Sequence, residues 1–104
     1  MQNFFVATIR VTSKVTFEWD EGRAGRNLAK HGVPFEYATR VFLDSHRLDA
    51  EDSRRDYAEE RRLTLGMIAE RLYVVVYTVR GRSLRVISAR MANPRERRRY
   101  DETL

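Results

Sequence analysis

An α+β fold is predicted, and three observations predict it. The run Leu72-Tyr-Val-Val-Val-Tyr-Thr-Val79 is apolar on both faces, which suits a central strand covered on two sides. Strand-like stretches flank it at roughly 61–68 and 83–90, with Gly81 supplying a tight turn, so the three form an antiparallel meander. Helical spacing precedes this meander and follows it instead of alternating with its strands.

In chain order, residues 5–11 and 15–19 read as strands rich in β-branched and aromatic side chains. Val15, Phe17 and Trp19 alternate with Thr16 and Glu18, so one face can be buried. Asp20 is an N-cap for a helix over 21–31, with Ala24, Leu28 and His31 on one stripe and Gly32 as its C-cap. Pro34 blocks continuation, and a second helix over 35–42 buries Phe35, Ala38, Val41 and Phe42, giving a helical hairpin. Residues 44–57 are polar, with a short strand near 47–50. After the meander, Asn93 caps a C-terminal helix with Pro94 at its first position.

A chain of 104 residues holds one domain with a modest core. The fractions of 42% hydrophobic and 34% charged residues fit an ordered, highly charged protein. Its net charge of +5 favours a polyanionic partner. Twenty residues are basic, and only Lys14 and Lys30 among them are lysine; a GC-rich codon bias accounts for much of that ratio. The absence of cysteine excludes disulfides and thiolate zinc sites. The longest apolar stretch is far too short to span a bilayer, and no leader peptide is recognisable, so a cytoplasmic location without membrane association is expected.

Residues 84–100 gather arginines, Glu96 and Tyr100 between the last strand and the C-terminal helix. Guanidinium groups bind phosphate oxygens bidentately and stay charged at any working pH, so a phosphodiester suits this surface. A solvated basic face is the alternative.

The blocks Phe17-Glu18-Trp19-Asp20, Asn27-Leu28-x-Lys30-His31-Gly32-Val33-x-Phe35-Glu36-x-Ala38 and Val41-Phe42 with Asp44 come first along the chain. Glu59-Glu60-Arg61 leads on to Leu65-Gly66, then Val74-Val75-Val76-Tyr77-Thr78, Arg85-Val86-Ile87-Ser88-Ala89-Arg90, Glu96 and Tyr100. In order and spacing these resemble the BrnT toxins of BrnT/BrnA type II toxin–antitoxin systems, over about residues 17–101. The resemblance implies a RelE-like fold and a small ribonuclease that inhibits translation without a cofactor. It implies a BrnA-like ribbon-helix-helix antitoxin encoded beside the toxin, with operator DNA met only through their complex. Residues 15–104 would be the toxin domain. Residues 1–14 precede the usual start of the family, as an added edge strand or the product of an upstream start codon. The stretch 50–58 varies in the family and receives no site.

Metal-free RNA cleavage requires deprotonation of the 2′-hydroxyl, stabilisation of the phosphorane and protonation of the 5′-oxygen. Arg61, Arg85 and Arg90 suit the second task, and Glu60, His31 and Tyr100 are candidates for the proton transfers. Arg80, Lys30, Arg97 and Arg98 are candidates for holding the RNA backbone. No residue spacing suggests a metal cluster: His31 and His46 lack an accompanying acid motif. Strand parity sets Arg85 and Arg90 on opposite faces unless a bulge intervenes, so Arg90 is expected past the strand end as the leading substrate contact. Parity sets Arg61 with Leu63, Leu65 and Met67, so it requires a carboxylate partner or a place at the strand mouth. Glu60 has two readings, ion-pair partner or general base. Tyr100 is an anchor of the last helix or a proton-transfer group, and His31 at a helix end suits the dipole as well as it suits catalysis.

Overall fold

The computed structural model describes residues 4–10, 14–53 and 60–104. Within them lie the strands β1 (Phe4–Arg10), β2 (Lys14–Asp20), β3 (Leu48–Glu51), β4 (Arg62–Ile68), β5 (Arg71–Arg80) and β6 (Ser83–Met91). Helices α1 (Glu21–His31) and α2 (Phe35–Ala38) separate β2 from β3, and α3 (Pro94–Asp101) follows β6. The strands form one sheet in the order β1-β2-β6-β5-β4-β3. The fold is α+β. All neighbours are antiparallel except β2 and β6, which run parallel with Thr16, Phe17 and Glu18 opposite Ser83, Leu84 and Arg85. β1 pairs with β2 as an edge strand, Phe5 opposite Trp19. Glu59 and most of the variable stretch, residues 54–58, lie outside the described residues.

β5 has a neighbour on each side and is buried from Leu72 to Thr78, as its uniform apolarity requires. One face of the sheet carries Phe17, Trp19, Val75, Tyr77, Val86 and Ala89 beneath the helices. The Phe42 ring stands edge-on to Tyr77 at 5.0 Å, and Trp19 stands edge-on to Phe35 at 6.0 Å. On the other face α3 lays the buried Tyr100 over Leu65, Leu72 and Val74.

The helix ends follow the chemistry of their caps. Asp20 Oδ1 accepts from the Gly22 N–H at 3.0 Å, and Gly32 adopts a left-handed φ of 72° that returns its N–H to the Leu28 carbonyl at 2.8 Å. A capping box starts α3: Asn93 Oδ1 accepts from the Glu96 N–H at 2.8 Å, and Glu96 Oε1 accepts from the Asn93 N–H at 2.9 Å.

Two helical expectations are corrected. The second helix is α2 followed by a 3-10 segment, Thr39–Leu43. There the Thr39 hydroxyl donates to the Glu36 carbonyl at 2.7 Å, a local bond that competes with regular helix. The 3-10 segment also presses Val41 against Gly66 of β4, so that a Cβ on Gly66 would lie 2.8 Å from Val41 Cβ. In α1 the buried residue is Asn27, while Leu28 and His31 are exposed. β2 pairs only with the start of β6, and the Asn27 side chain satisfies the backbone further along that edge. Its amide donates to the Ala89 carbonyl at 2.8 Å and its oxygen accepts from the Ala89 N–H at 3.1 Å.

Candidate functional site

A β-bulge determines which arginines share a surface. Val76 lies opposite Ser88 and Tyr77 opposite Val86, so Ile87 is an extra residue in β6. Thr78, Val76 and Val74 alternate onto one face of β5, and their partners are Arg85, Ser88 and Arg90. Arg85 and Arg90 therefore lie on the same face, through the bulge that the parity argument allowed as its exception, and Arg90 lies within β6 and not past its end, which corrects its expected position. They remain apart along the strand: four positions of β5 separate their partners, about 13 Å.

The Arg85 end gathers four of the sequence candidates. Glu18 lies opposite Arg85 across the parallel pair, with Arg85 Nε 3.4 Å from Glu18 Oε1. The Thr78 hydroxyl donates to the Glu60 carbonyl at 2.7 Å, bringing the chain ahead of β4 beside Arg85's cross-strand partner. Arg61 stands at the mouth of β4, where continuing the register from Arg62 and Tyr77 sets it opposite Thr78. Its carbonyl accepts from the Asp52 N–H at 2.7 Å. Arg80, opposite Ser83, lies one pleat further toward the turn. Arg61, Thr78, Arg85 and Glu18 thus form one row across the sheet, with Arg80 and Glu60 beside it.

At the same end of the sheet, on the face that carries Tyr77, is a network that the sequence analysis missed. Arg62 Nε donates to Asp49 Oδ1 at 2.7 Å, its Nη2 reaches the same oxygen at 2.6 Å, and its Nη1 donates to Glu60 Oε1 at 3.1 Å. The Tyr77 hydroxyl donates to the other Asp49 oxygen. Asp49 raises the Arg62 guanidinium further above its ordinary value. Burial, reinforced by the bond to Asp49, pushes the Tyr77 hydroxyl up to about 12. A cavity of about 180 Å³ opens here between Glu60, Arg62, Thr78 and Val79. The available signal was a tyrosine inside an apolar strand, since a buried phenol needs a partner.

The Arg90 end is built differently. Arg90 donates from Nη1 and Nη2 to the two Glu96 oxygens, both at 2.9 Å, and from Nη1 to the Met91 carbonyl at 3.2 Å. Glu96 belongs to the capping box, so this fork joins β6 to the start of α3. Tyr100 is buried, and its hydroxyl donates to Asp44 Oδ2 at 2.6 Å. Burial and that bond push the phenol up to about 12, making it a donor at neutral pH and a poor proton acceptor. Asp44 also accepts from the N–H groups of Met67 (2.8 Å) and His46 (2.9 Å), tying the 3-10 segment, β4 and α3 together. Burial pushes the Asp44 carboxyl up, but these bonds and the His46 charge outweigh it and hold the group below its ordinary 3.8.

Of the remaining candidates, Arg97 donates to Asp101 along α3 at 3.2 Å, and Arg98 is exposed on the same helix. Lys30 and His31 are exposed at the end of α1, which covers the opposite face of the sheet. The structure thus brings Arg61, Arg80 and Arg85 to one end of one face, with Glu60 at the same end and its carboxylate on Arg62; it does not bring Arg90, Tyr100, Arg97, Arg98, Lys30 or His31 to them. Among the described residues no three His, Cys, Asp or Glu side chains converge, and no helix is long and apolar enough to cross a membrane.

The Asp44 junction makes a stability prediction. Tyr100→Phe should cost about 1–2 kcal/mol, since a buried bond to a charged acceptor is lost. Because folding lowers the Asp44 carboxyl, its contribution is present above 3.8 and is lost as pH falls through the folded value. Tyr100, raised by folding, contributes below its ordinary 10.0 and loses that contribution as pH rises through about 12. Melting temperature against pH checks both: Tyr100→Phe should melt lower than the parent at neutral pH and fall less steeply in acid.

A family model described as a ribonuclease toxin, BrnT, of type II toxin–antitoxin systems matches residues 19–96. That span runs from Trp19 at the end of β2 to Glu96 in the capping box, and includes Glu60, Arg61, Arg80, Arg85 and Arg90. No curated protein matches the chain.

Proposed function

Because the chain belongs to the BrnT family of ribonuclease toxins, we propose that it is a metal-independent endoribonuclease, RelE-like in fold, that inhibits translation. A BrnA-like ribbon-helix-helix antitoxin, encoded beside it, neutralises it in the cell. Operator DNA is met only through the toxin–antitoxin complex.

The observation that carries the reading is the grouping of Arg61, Arg80 and Arg85 on one face at one end of the sheet, with Glu60 at that same end. Phosphorane formation places charge on non-bridging oxygens, and fixed guanidinium groups oppose that charge without a metal. Arg85 and Arg61 take this task, and Arg80 holds a neighbouring phosphate. The Glu60 carboxylate, exposed beside the cavity, accepts the 2′-hydroxyl proton. The 2′-oxygen then forms its bond to phosphorus while the bond to the 5′-oxygen breaks, and water protonates the leaving oxygen. Arg62 and Asp49 orient Glu60 and are positioning residues. Arg90 and Tyr100 hold α3 against the sheet; Arg97 and Arg98 add to RNA attraction through charge alone.

The second reading is a module that binds RNA or the antitoxin without turnover. It draws on the carboxylates that already engage Arg62, Arg85 and Arg90, since structural ion pairs need no chemistry. Incubation of the purified protein with total RNA in EDTA separates the readings. Cleavage is expected; RNA that stays intact at micromolar protein and is cut only after magnesium is added would contradict the metal-free mechanism.

A further inference from the structure

Across the sheet from the arginine row, α1 and α2 leave a groove of about 330 Å³. Trp19, Ala24, Leu28 and Phe35 line it, and Glu21 and Glu36 stand at its rim. Leu28 is 48% exposed, a large apolar side chain on the one stripe of α1 where packing would be expected to cover it. Positions 21, 24 and 28 fall on that stripe, whereas Arg23, Arg26 and Lys30 fall off it, so the cations of α1 are turned away from the groove. Among the described residues no ion pair engages Glu21 or Glu36. In a chain of net charge +5, this is a local acidic rim around an apolar floor.

We propose that this groove is the anchor site for a helix of the partner antitoxin, one that places apolar side chains on Leu28 and Phe35 and Lys or Arg beside Glu21 and Glu36. The inference rests on the reading of the chain as an antitoxin-neutralised toxin. A groove between two helices fits an amphipathic helix, whose anchors repeat at three- and four-residue spacing. Charge complementarity selects a basic flank on that helix: an acidic one would meet two unpaired carboxylates. Because the groove and the arginine row lie on opposite faces, an antitoxin anchored here grips the toxin without using the RNA-binding side chains. Covering those arginines is then the task of a different segment.

The test uses the whole toxin and the antitoxin protein encoded beside its gene. Affinity is measured by calorimetry for the parent, Leu28→Glu and the double variant Glu21→Lys/Glu36→Lys. These side chains are exposed, and melting temperatures close to the parent's verify folding. Each variant should bind the antitoxin about tenfold more weakly or worse, as expected where an interface anchor is lost. RNA cleavage should stay within about twofold of the parent. Added salt should weaken the parent complex more than that of the charge-reversed variant. Unchanged affinity in both variants would overturn the proposal. So would a parent that is dimeric alone and is split by Leu28→Glu, because the groove would then seat a second copy. An antitoxin whose binding is lost through Arg85→Ala and untouched by the groove variants would place the anchor on the arginine face, and also overturns it. Affinity is read directly, so the result stands whether or not the parent cleaves RNA.

Discussion

Arg85→Ala is expected to slow RNA cleavage on the order of 10²-fold or more, the loss typical of one preorganised donor to transition-state charge. Arg85 is opposite Thr78 at the centre of the row that contains Arg61 and Glu18, at the same end of the sheet as Glu60, whose main-chain carbonyl accepts from Thr78. Arg85→Lys should recover only part of the rate, because an ammonium is a point charge and cannot reproduce the planar fork. The pair with Glu18 is about one-fifth exposed on each side, so its loss should cost about 1 kcal/mol or less. Glu18→Gln is the control: it breaks the same pair, leaves the arginine in place and should cleave near the parental rate. Single-turnover cleavage and melting temperature together check the prediction. If Glu18→Gln and Arg85→Ala lose rate equally, the ion pair matters and the phosphate contact does not.

The largest effect on stability is expected at Gly66. An added Cβ would lie 2.8 Å from Val41 Cβ and 2.9 Å from the Val41 carbonyl oxygen. Neither neighbour is the tip of a flexible side chain. Val41 is fully buried in the 3-10 segment, so relief requires that segment to lift off β4. Gly66→Ala should therefore cost about 3 kcal/mol, at the upper end of overpacking effects. For a domain of this size that corresponds to a fall of roughly 12–24 °C in melting temperature. The opposite sign is expected for Gly25→Ala in α1, where the new Cβ meets nothing within 4 Å and helix propensity improves by about 0.5–1 kcal/mol. Calorimetric melting of the two variants beside the parent checks the contrast. A Gly66→Ala protein as stable as the parent would mean that the close approach of the 3-10 segment is not required.

Much of the fold was legible because its signals are local. Alternation in Val15, Phe17 and Trp19, the double-sided apolarity of 72–79, and the caps at Asp20, Gly32 and Asn93 each act within a few residues. Pairing was less legible. The parallel contact of β2 with β6 depends on which edges are left open after the helices return, and no short motif records it. The bulge at Ile87 was invisible for a related reason: isoleucine is an ordinary strand residue, and only the register with β5 reveals that one position is extra. That single residue reverses the facing of Arg85 relative to Arg90, and with it the grouping of the candidate site. Asp44 and Tyr100 are 56 positions apart, and Asp49 and Tyr77 are 28 apart, so their bonds emerge only after the sheet has formed. The arginines and Glu60 could be named from the sequence; the division of Arg85 and Arg90 between two ends of one face could not.

The most direct test of the proposed reaction is Glu60→Gln, measured by single-turnover RNA cleavage in EDTA and by RNA binding. Glu60 is 61% exposed on its side chain, and glutamine keeps both the shape and an oxygen for Arg62, so the fold and the arginine row should persist. If Glu60 accepts the 2′-hydroxyl proton, cleavage should fall on the order of 10²-fold or more while RNA affinity stays near that of the parent. Cleavage at the parental rate by a folded Glu60→Gln protein would contradict the assignment of this end of the sheet as the catalytic centre.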